Sequence, residues 1–183
     1  PYKQAVIPFL DLIINEAKDT FSVNTIYLNN DSKVVGENTD VYGFSQSFIN
    51  QIKKNELTKK RILVLGAGGV TPSIIYCLIR ENVKQILISN KTIQKAENIK
   101  KIFPSIEIVL WDNINDTTKN MDIIINTTSL GMKGGNDFEK EFNKIKSGAV
   151  YYDVIYNPLA TKMIKNFKKR GSETFNGLDM FIY

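Results

Sequence analysis

Histidine is absent from this 183-residue chain. That excludes Ser-His-Asp and Cys-His nucleophile systems and removes the commonest side-chain ligand for a transition metal, so no metal site is expected. Cysteine occurs once, at Cys77, and cannot close an internal disulfide; a reducing, cytoplasmic compartment is the default expectation. Cys77 falls on an apolar helical face and reads as core. Long hydrophobic runs are also missing: none approaches the ~18 residues of a membrane-spanning helix. The opening Pro1-Tyr2-Lys3 does not have the composition of a signal peptide. Acidic residues are in the minority, 19 against 24 basic ones, for a formal charge of +5. The basic residues are nearly all lysines scattered along the chain, without a compact basic stripe and interleaved aromatics. No nucleic-acid partner is expected, and no membrane partner.

What is present fits an ordinary globular protein of one to two domains. Residues 5–18 carry helical apolar spacing, with Pro8 tolerable near a first turn. Two extended runs follow, Ser22–Leu28 and Lys33–Gly36, joined by Asn29-Asn30-Asp31-Ser32, which has hairpin-turn composition. Residues 41–54 place Phe44, Phe48 and Ile52 at spacings of four and predict an amphipathic helix connecting two domains. From Arg61 strands and helices alternate. Strands are expected at Ile62–Leu65, Gln85–Ser89, Ile106–Leu110, Met121–Asn126 and Val150–Val154, with helices over 70–81, 93–102 and 159–170. Continuous apolar strands are those of a parallel sheet covered on both faces, giving an α/β, doubly wound, Rossmann-like fold.

Three segments bear on chemistry. Gly36-Glu37-Asn38-Thr39-Asp40-Val41-Tyr42-Gly43-Phe44 packs an amide, a hydroxyl and a carboxylate into a tight turn. A capped helix start would use the same residues. About twenty residues later, Gly66-Ala67-Gly68-Gly69-Val70-Thr71-Pro72 follows a strand and opens a helix, the setting in which glycines let backbone approach a pyrophosphate. Thr71 stands where the generic fingerprint has its third glycine, so a purely structural turn remains an alternative. At the end of the second strand an NAD site carries an acidic residue. Here Ser89-Asn90-Lys91-Thr92 is followed by Lys95, a set that attracts a 2′-phosphate and favours NADP. A solvated helix start would also contain such lysines.

Together these segments resemble shikimate dehydrogenases. The family's G-x-N-T-D-x-x-G-F segment matches residues 36–44, and its G-A-G-G-A turn matches Gly66–Val70 with Val70 for Ala. Its N-R-T matches Asn90-Lys91-Thr92, with Lys91 losing the bidentate geometry of Arg but keeping the charge. I-N-A-T-S-x-G-M matches Ile125–Met132 with Thr127 for Ala; D-x-x-Y-x-P-x-x-T matches Asp153–Thr161; G-L-x-M matches Gly177–Met180. Pro1-Tyr2-Lys3 reads as the end of a P-x-K motif, and Asn24-Thr25 as a substrate-binding N-T pair.

The resemblance implies NADP-dependent, reversible reduction of 3-dehydroshikimate to shikimate, a step toward aromatic amino acids. Lys3 and Asp40 would be catalytic. Asn24 and Tyr156 would bind substrate. Cofactor contacts would come from Gly66, Ala67, Gly68, Gly69, Val70, Asn90, Lys91, Thr92, Lys95, Thr127, Thr128, Ser129, Val154 and Gly177. Residues 1–40 would be part of an α/β substrate domain, 41–177 the NADP-binding domain, and 178–183 the start of the return. The family's S-x-S pair would precede Pro1 and a glutamine would follow Tyr183, so the chain reads as an internal fragment that binds cofactor without useful turnover. Alternatives are a quinate/shikimate dehydrogenase of broader specificity and a cofactor-binding module. A homodimer is compatible with the sequence, which leaves oligomeric state open.

Overall fold

A computed structural model describes all residues except Pro1, Asn50, Lys53, Lys140 and Glu141, together with the side chains of Lys54 and Asn55. Pro1 of the P-x-K triplet, and Asn50 and Lys53 of the predicted 41–54 helix, therefore lie outside the described residues.

The helix expected over residues 5–18 does not form. A 3-10 turn at Ile7–Phe9, a short strand β1 (Leu12–Ile13) and a short helix α1 (Glu16–Thr20) take its place. Pro8 has no amide to carry a helix onward. Leu12 and Ile13 instead pair in parallel with Val35 and Gly36, and the amides of Asp11 and Ile14 donate to the Val34 and Gly36 carbonyls at 2.9 and 3.0 Å. The hairpin expectation holds. β2 (Thr25–Leu28) and β3 (Val34–Glu37) are antiparallel, and the Asn29 side-chain oxygen accepts from the amides of Asp31 and Lys33, both at 3.0 Å. Asx bonding of this kind is why such residues favour turns. The three strands form one sheet in the order β1-β3-β2.

The connector is broken into pieces: α2 (Asp40–Phe44), a π turn (Ser45–Ile49) and α3 (Lys54–Leu57). The wide turn brings Phe44, Phe48 and Ile49 all inside. Phe48 lies 5.2 Å from the Phe44 ring and 4.8 Å from Tyr152. Each fully buried side chain of this size contributes roughly 1.5–3 kcal/mol.

From Arg61 the five expected strands and three expected helices form, with β6 shortened from 106–110: β4 (Arg61–Leu65), α4 (Thr71–Arg80), β5 (Gln85–Ser89), α5 (Ile93–Ile102), β6 (Glu107–Ile108), then, unannounced by the sequence, a 3-10 turn (Trp111–Asn113) leading into α6 (Ile114–Thr118), followed by β7 (Ile123–Asn126), β8 (Val150–Asp153), α7 (Lys162–Lys169) and, again unannounced, β9 (Thr174–Phe175) and α8 (Leu178–Ile182). The six strands β4–β9 pair in parallel in the order β6-β5-β4-β7-β8-β9. On one face Ile62, Val64, Ile88 and Ile125 pack against Ile74, Leu78 and Ile99 of α4 and α5. On the other, Leu63, Leu65, Ile124 and Tyr151 meet Ile114, Met163 and Phe167 of α6 and α7. Helices on both faces explain why these strands read as continuous apolar runs. The order reverses between β4 and β7, so their carboxyl ends frame the crevice in which such sheets hold ligands. Cys77 is core: 1% exposed, its thiol pushed up to about 12 by burial.

Candidate active site

The glycine turn leaves β4 at that crevice. Gly66 sits at φ +110°, and a Cβ there would be 2.6 Å from Thr127 Oγ1, so both backbone angle and space require glycine. A relay of hydrogen bonds fixes the turn. The Gly68 amide donates to Thr71 Oγ1 (3.0 Å), Thr71 shares a bond with Thr127 Oγ1 (2.9 Å), and Thr127 donates to the Leu65 carbonyl (2.9 Å). Thr127 is thus part of the scaffold beneath the crevice. Gly68 is different: a Cβ there would meet nothing within 4 Å, so the space beside its Cα is open, although its amide is held by Thr71. The Ala67 amide donates to Asn90 Oδ1 at 3.1 Å, and Asn90 Nδ2 donates to the Thr92 carbonyl at 2.8 Å. Asn90 ties the turn to the end of β5.

The two lysines diverge. Lys95 lines a pocket of about 360 Å³ together with Ala67, Gly68 and Gly69. Lys91 reaches the other way, 2.7 Å from the Glu139 carboxylate, an exposed pair. Thr92 and Val70 flank α5 and α4 as their N-cap residues, without side-chain capping bonds.

Beyond β7 and β8, Thr127, Thr128, Ser129, Met132, Val154 and Tyr156 line a second cleft of about 390 Å³. Gly177 packs directly on the Val154 carbonyl, where a Cβ would overlap the oxygen. Tyr156 is 45% exposed and stacks on Phe181 at 4.8 Å.

The predicted acid–base residues meet across the sheet boundary. Lys3 Nζ donates to Asp40 Oδ2. Asn24 Nδ2 donates to Asp40 Oδ1 (3.1 Å) and Thr39 Oγ1 (2.9 Å), while its own Oδ1 accepts from the Thr39 amide (3.0 Å). The Lys3 stem lies against Gly69, its Cδ 3.3 Å from where a Cβ would stand, and Ser22 Oγ donates to the Gly69 carbonyl at 2.8 Å. The ion pair therefore sits beside the glycine turn.

Some functional neighbours carried no assigned role in the sequence. Asn38, 3% exposed, donates to Thr20 Oγ1, the Ser22 carbonyl and Ser73 Oγ at 2.8–3.0 Å and accepts from the Asp40 amide at 2.9 Å. It locks the Asn-Thr-Asp turn to α4. Asp153, fully buried, joins Asn126 and Thr161, and burial raises its carboxyl to about 6. A lone acidic residue ending an apolar strand was the available signal. Among the described residues, no three His, Cys, Asp or Glu side chains cluster to hold a metal ion.

The family model for shikimate/quinate 5-dehydrogenase matches residues 49–133. A protein named shikimate dehydrogenase (NADP(+)) from Pelagibacter ubique is 45% identical over 183 residues, covering 100% of this chain and 66% of its own length. One of the same name from Geobacillus kaustophilus is 38% identical over 186 residues, covering 100% and 67%. The crystal structure of shikimate dehydrogenase from Aquifex aeolicus superposes with a TM-score of 0.88 at 35% identity, covering 100% of this chain and 65% of that one. This chain spans about two thirds of the length of each of these proteins.

Proposed function

This chain belongs to the shikimate/quinate 5-dehydrogenase family, and we propose that it binds NADP(H) and serves the reversible reduction of 3-dehydroshikimate to shikimate. The observation that carries this reading is the Lys3–Asp40–Asn24 cluster packed against Gly69 of the dinucleotide-type turn. Reducing a ring ketone requires a hydride at carbon and a proton at oxygen, and only a site joining a cofactor cradle to a proton donor supplies both.

The residues fit the cofactor. Gly68 leaves open space beside the turn for the pyrophosphate, Lys95 lines the same pocket for the 2′-phosphate, and the β7 and β8 loops border a cleft for the nicotinamide. NADPH, when bound, supplies the hydride. Lys3 gives its proton to the carbonyl oxygen as negative charge develops there, and regains one from solvent. Asp40 holds the Lys3 ammonium in place and Asn24 fixes Asp40. Tyr156 and the Asn24 amide orient the ring hydroxyls. In this reading residues 1–40 belong to the substrate side, 41–177 to the cofactor domain, and 178–183 begin the return. Its setting in this reading is a reducing cytoplasm, the default for a chain with a single cysteine.

Titration of the chain with NADPH by fluorescence, followed by an assay of shikimate-dependent NADP reduction in the whole protein, tests the proposal. Micromolar or tighter NADPH binding with shikimate turnover is expected. Absence of NADPH binding would overturn the cofactor reading, and binding without turnover would leave a cofactor module only. Equal turnover of quinate would move the assignment to the broader-specificity enzyme.

A further inference from the structure

Four hydrogen bonds converge on the carboxylate of Asp153, which has no solvent exposure. Its Oδ1 accepts from Asn126 Nδ2 at 3.0 Å and from the Ile155 amide at 3.2 Å. Its Oδ2 accepts from Thr161 Oγ1 at 2.8 Å and from the Tyr151 hydroxyl at 3.2 Å. Three of these partners open different segments. Asn126 ends β7, and its own Oδ1 accepts from both the amide and the hydroxyl of Thr128, at 3.0 and 2.7 Å. Ile155 begins the loop that carries Tyr156. Thr161 caps α7 by accepting from the Ile164 amide at 3.3 Å.

We infer that Asp153 is a positioning residue: one buried carboxylate fixes the Thr127–Ser129 loop, the Val154–Tyr156 loop and the first turn of α7 relative to one another. What the cleft between those loops binds rests on the dehydrogenase reading above; the tether itself rests only on the four bonds. Its energetics point to geometry as its contribution. Burial raises this carboxyl despite four donors, so the charge is not an efficient source of stability, and apolar side chains commonly replace buried charge without loss. What an apolar residue could not do is hold three loop starts at hydrogen-bonding distance. A loop shift of about 1 Å at a reacting centre costs up to 10²-fold in rate.

The test compares Asp153→Ala, Asp153→Asn and Thr161→Val in the complete chain by amide hydrogen exchange without ligand and by NADPH titration. Asn is isosteric: its oxygen can serve Asn126 and Ile155 while its NH₂ donates to the two hydroxyls. In Asp153→Ala, exchange at Thr128, Ile155 and Ile164 should accelerate at least tenfold while Ile62–Leu65 stay protected, and NADPH affinity should fall at least tenfold. Asp153→Asn should keep that protection and bind NADPH within about threefold of the parent, showing that the bonds and not the charge hold the loops. Thr161→Val, which keeps the volume but loses the bond to Asp153, should still accelerate Ile155, as lost packing alone would not predict. If Asp153→Ala fails to fold, Thr161→Val decides through local acceleration at Ile164 and Ile155. Unchanged exchange at these amides in Asp153→Ala, or in Thr161→Val where that variant decides, overturns the inference. Failure of the parent to bind NADPH would instead remove the cofactor reading, with the exchange data still deciding the tether.

Discussion

Two glycines of one turn should respond oppositely to the same added methyl group. Gly66→Ala places a Cβ 2.6 Å from Thr127 Oγ1 and 2.9 Å from Thr128 Cγ2, at a φ of +110°. The strained backbone costs roughly 1–3 kcal/mol. Displacing Thr127 also breaks its bonds to Leu65 and Thr71, with buried polar atoms left unpaired at about 1–3 kcal/mol. A total near 3 kcal/mol would lower the melting temperature by about 6–12 °C in a chain of this size. Gly68→Ala has none of these costs, because its Cβ meets nothing within 4 Å and its φ is outside the left-handed region. Stability should hold or rise by about 0.4–1 kcal/mol through the less flexible unfolded chain. The new methyl would nonetheless occupy the open space beside Gly68 that is assigned to the pyrophosphate. NADPH affinity should therefore fall at least tenfold, about 1.4 kcal/mol. Thermal unfolding and NADPH fluorescence on both variants separate the two effects. A Gly68→Ala protein that binds NADPH as tightly as the parent would refute the assigned pyrophosphate position, and a Gly66→Ala protein with the parent melting temperature would refute the steric argument.

Three further outcomes are expected. The parent should prefer NADP(H) over NAD(H) at least tenfold, and replacing Lys91 and Lys95 by Ala should erase most of that in parallel titrations. Lys91 must first leave Glu139, an exposed pair worth about 0–1 kcal/mol, so Glu139→Gln should tighten NADP(H) binding by up to about fivefold; equal affinities for both cofactors in the parent would sink the assignment. In the whole protein, Lys3→Ala or Asp40→Ala should cut shikimate turnover by two or more orders of magnitude with NADPH affinity nearly unchanged, and near-normal rates would remove the pair from the mechanism. For Asp153, burial raises the folded carboxyl from 3.8 to about 6, so the native chain holds this proton more tightly than the unfolded one. The stabilisation is full below about pH 4 and is lost as pH rises through 6, a swing on the order of 3 kcal/mol. Urea unfolding at pH 4.5, 6 and 8 should show Asp153→Asn without this component; identical pH slopes in parent and variant would contradict it.

Local composition determined much of this protein by itself. Continuous apolar strands such as Ile123–Asn126 can only be buried on both faces, and that requirement alone points to a parallel sheet flanked by helices. The Asn29–Ser32 turn and the glycine turn were readable for the same reason: side-chain bonding at Asn29 and backbone freedom at Gly66 are local properties. The segment 5–18 misled because its apolar spacing suits a helix, yet Leu12 and Ile13 are captured by β3, some twenty residues away. Strands as short as Thr174–Phe175 carry no periodicity, so pairing with β8 defines them. The same limit applies to the site. Residue types named the candidates, but only the fold could bring Lys3 beside Asp40 and Gly69, turn Lys91 toward Glu139, and seal Asp153 from water among four donors. Those facts depend on which segments become neighbours and how far water is excluded, and neither is a property of any stretch of chain taken alone.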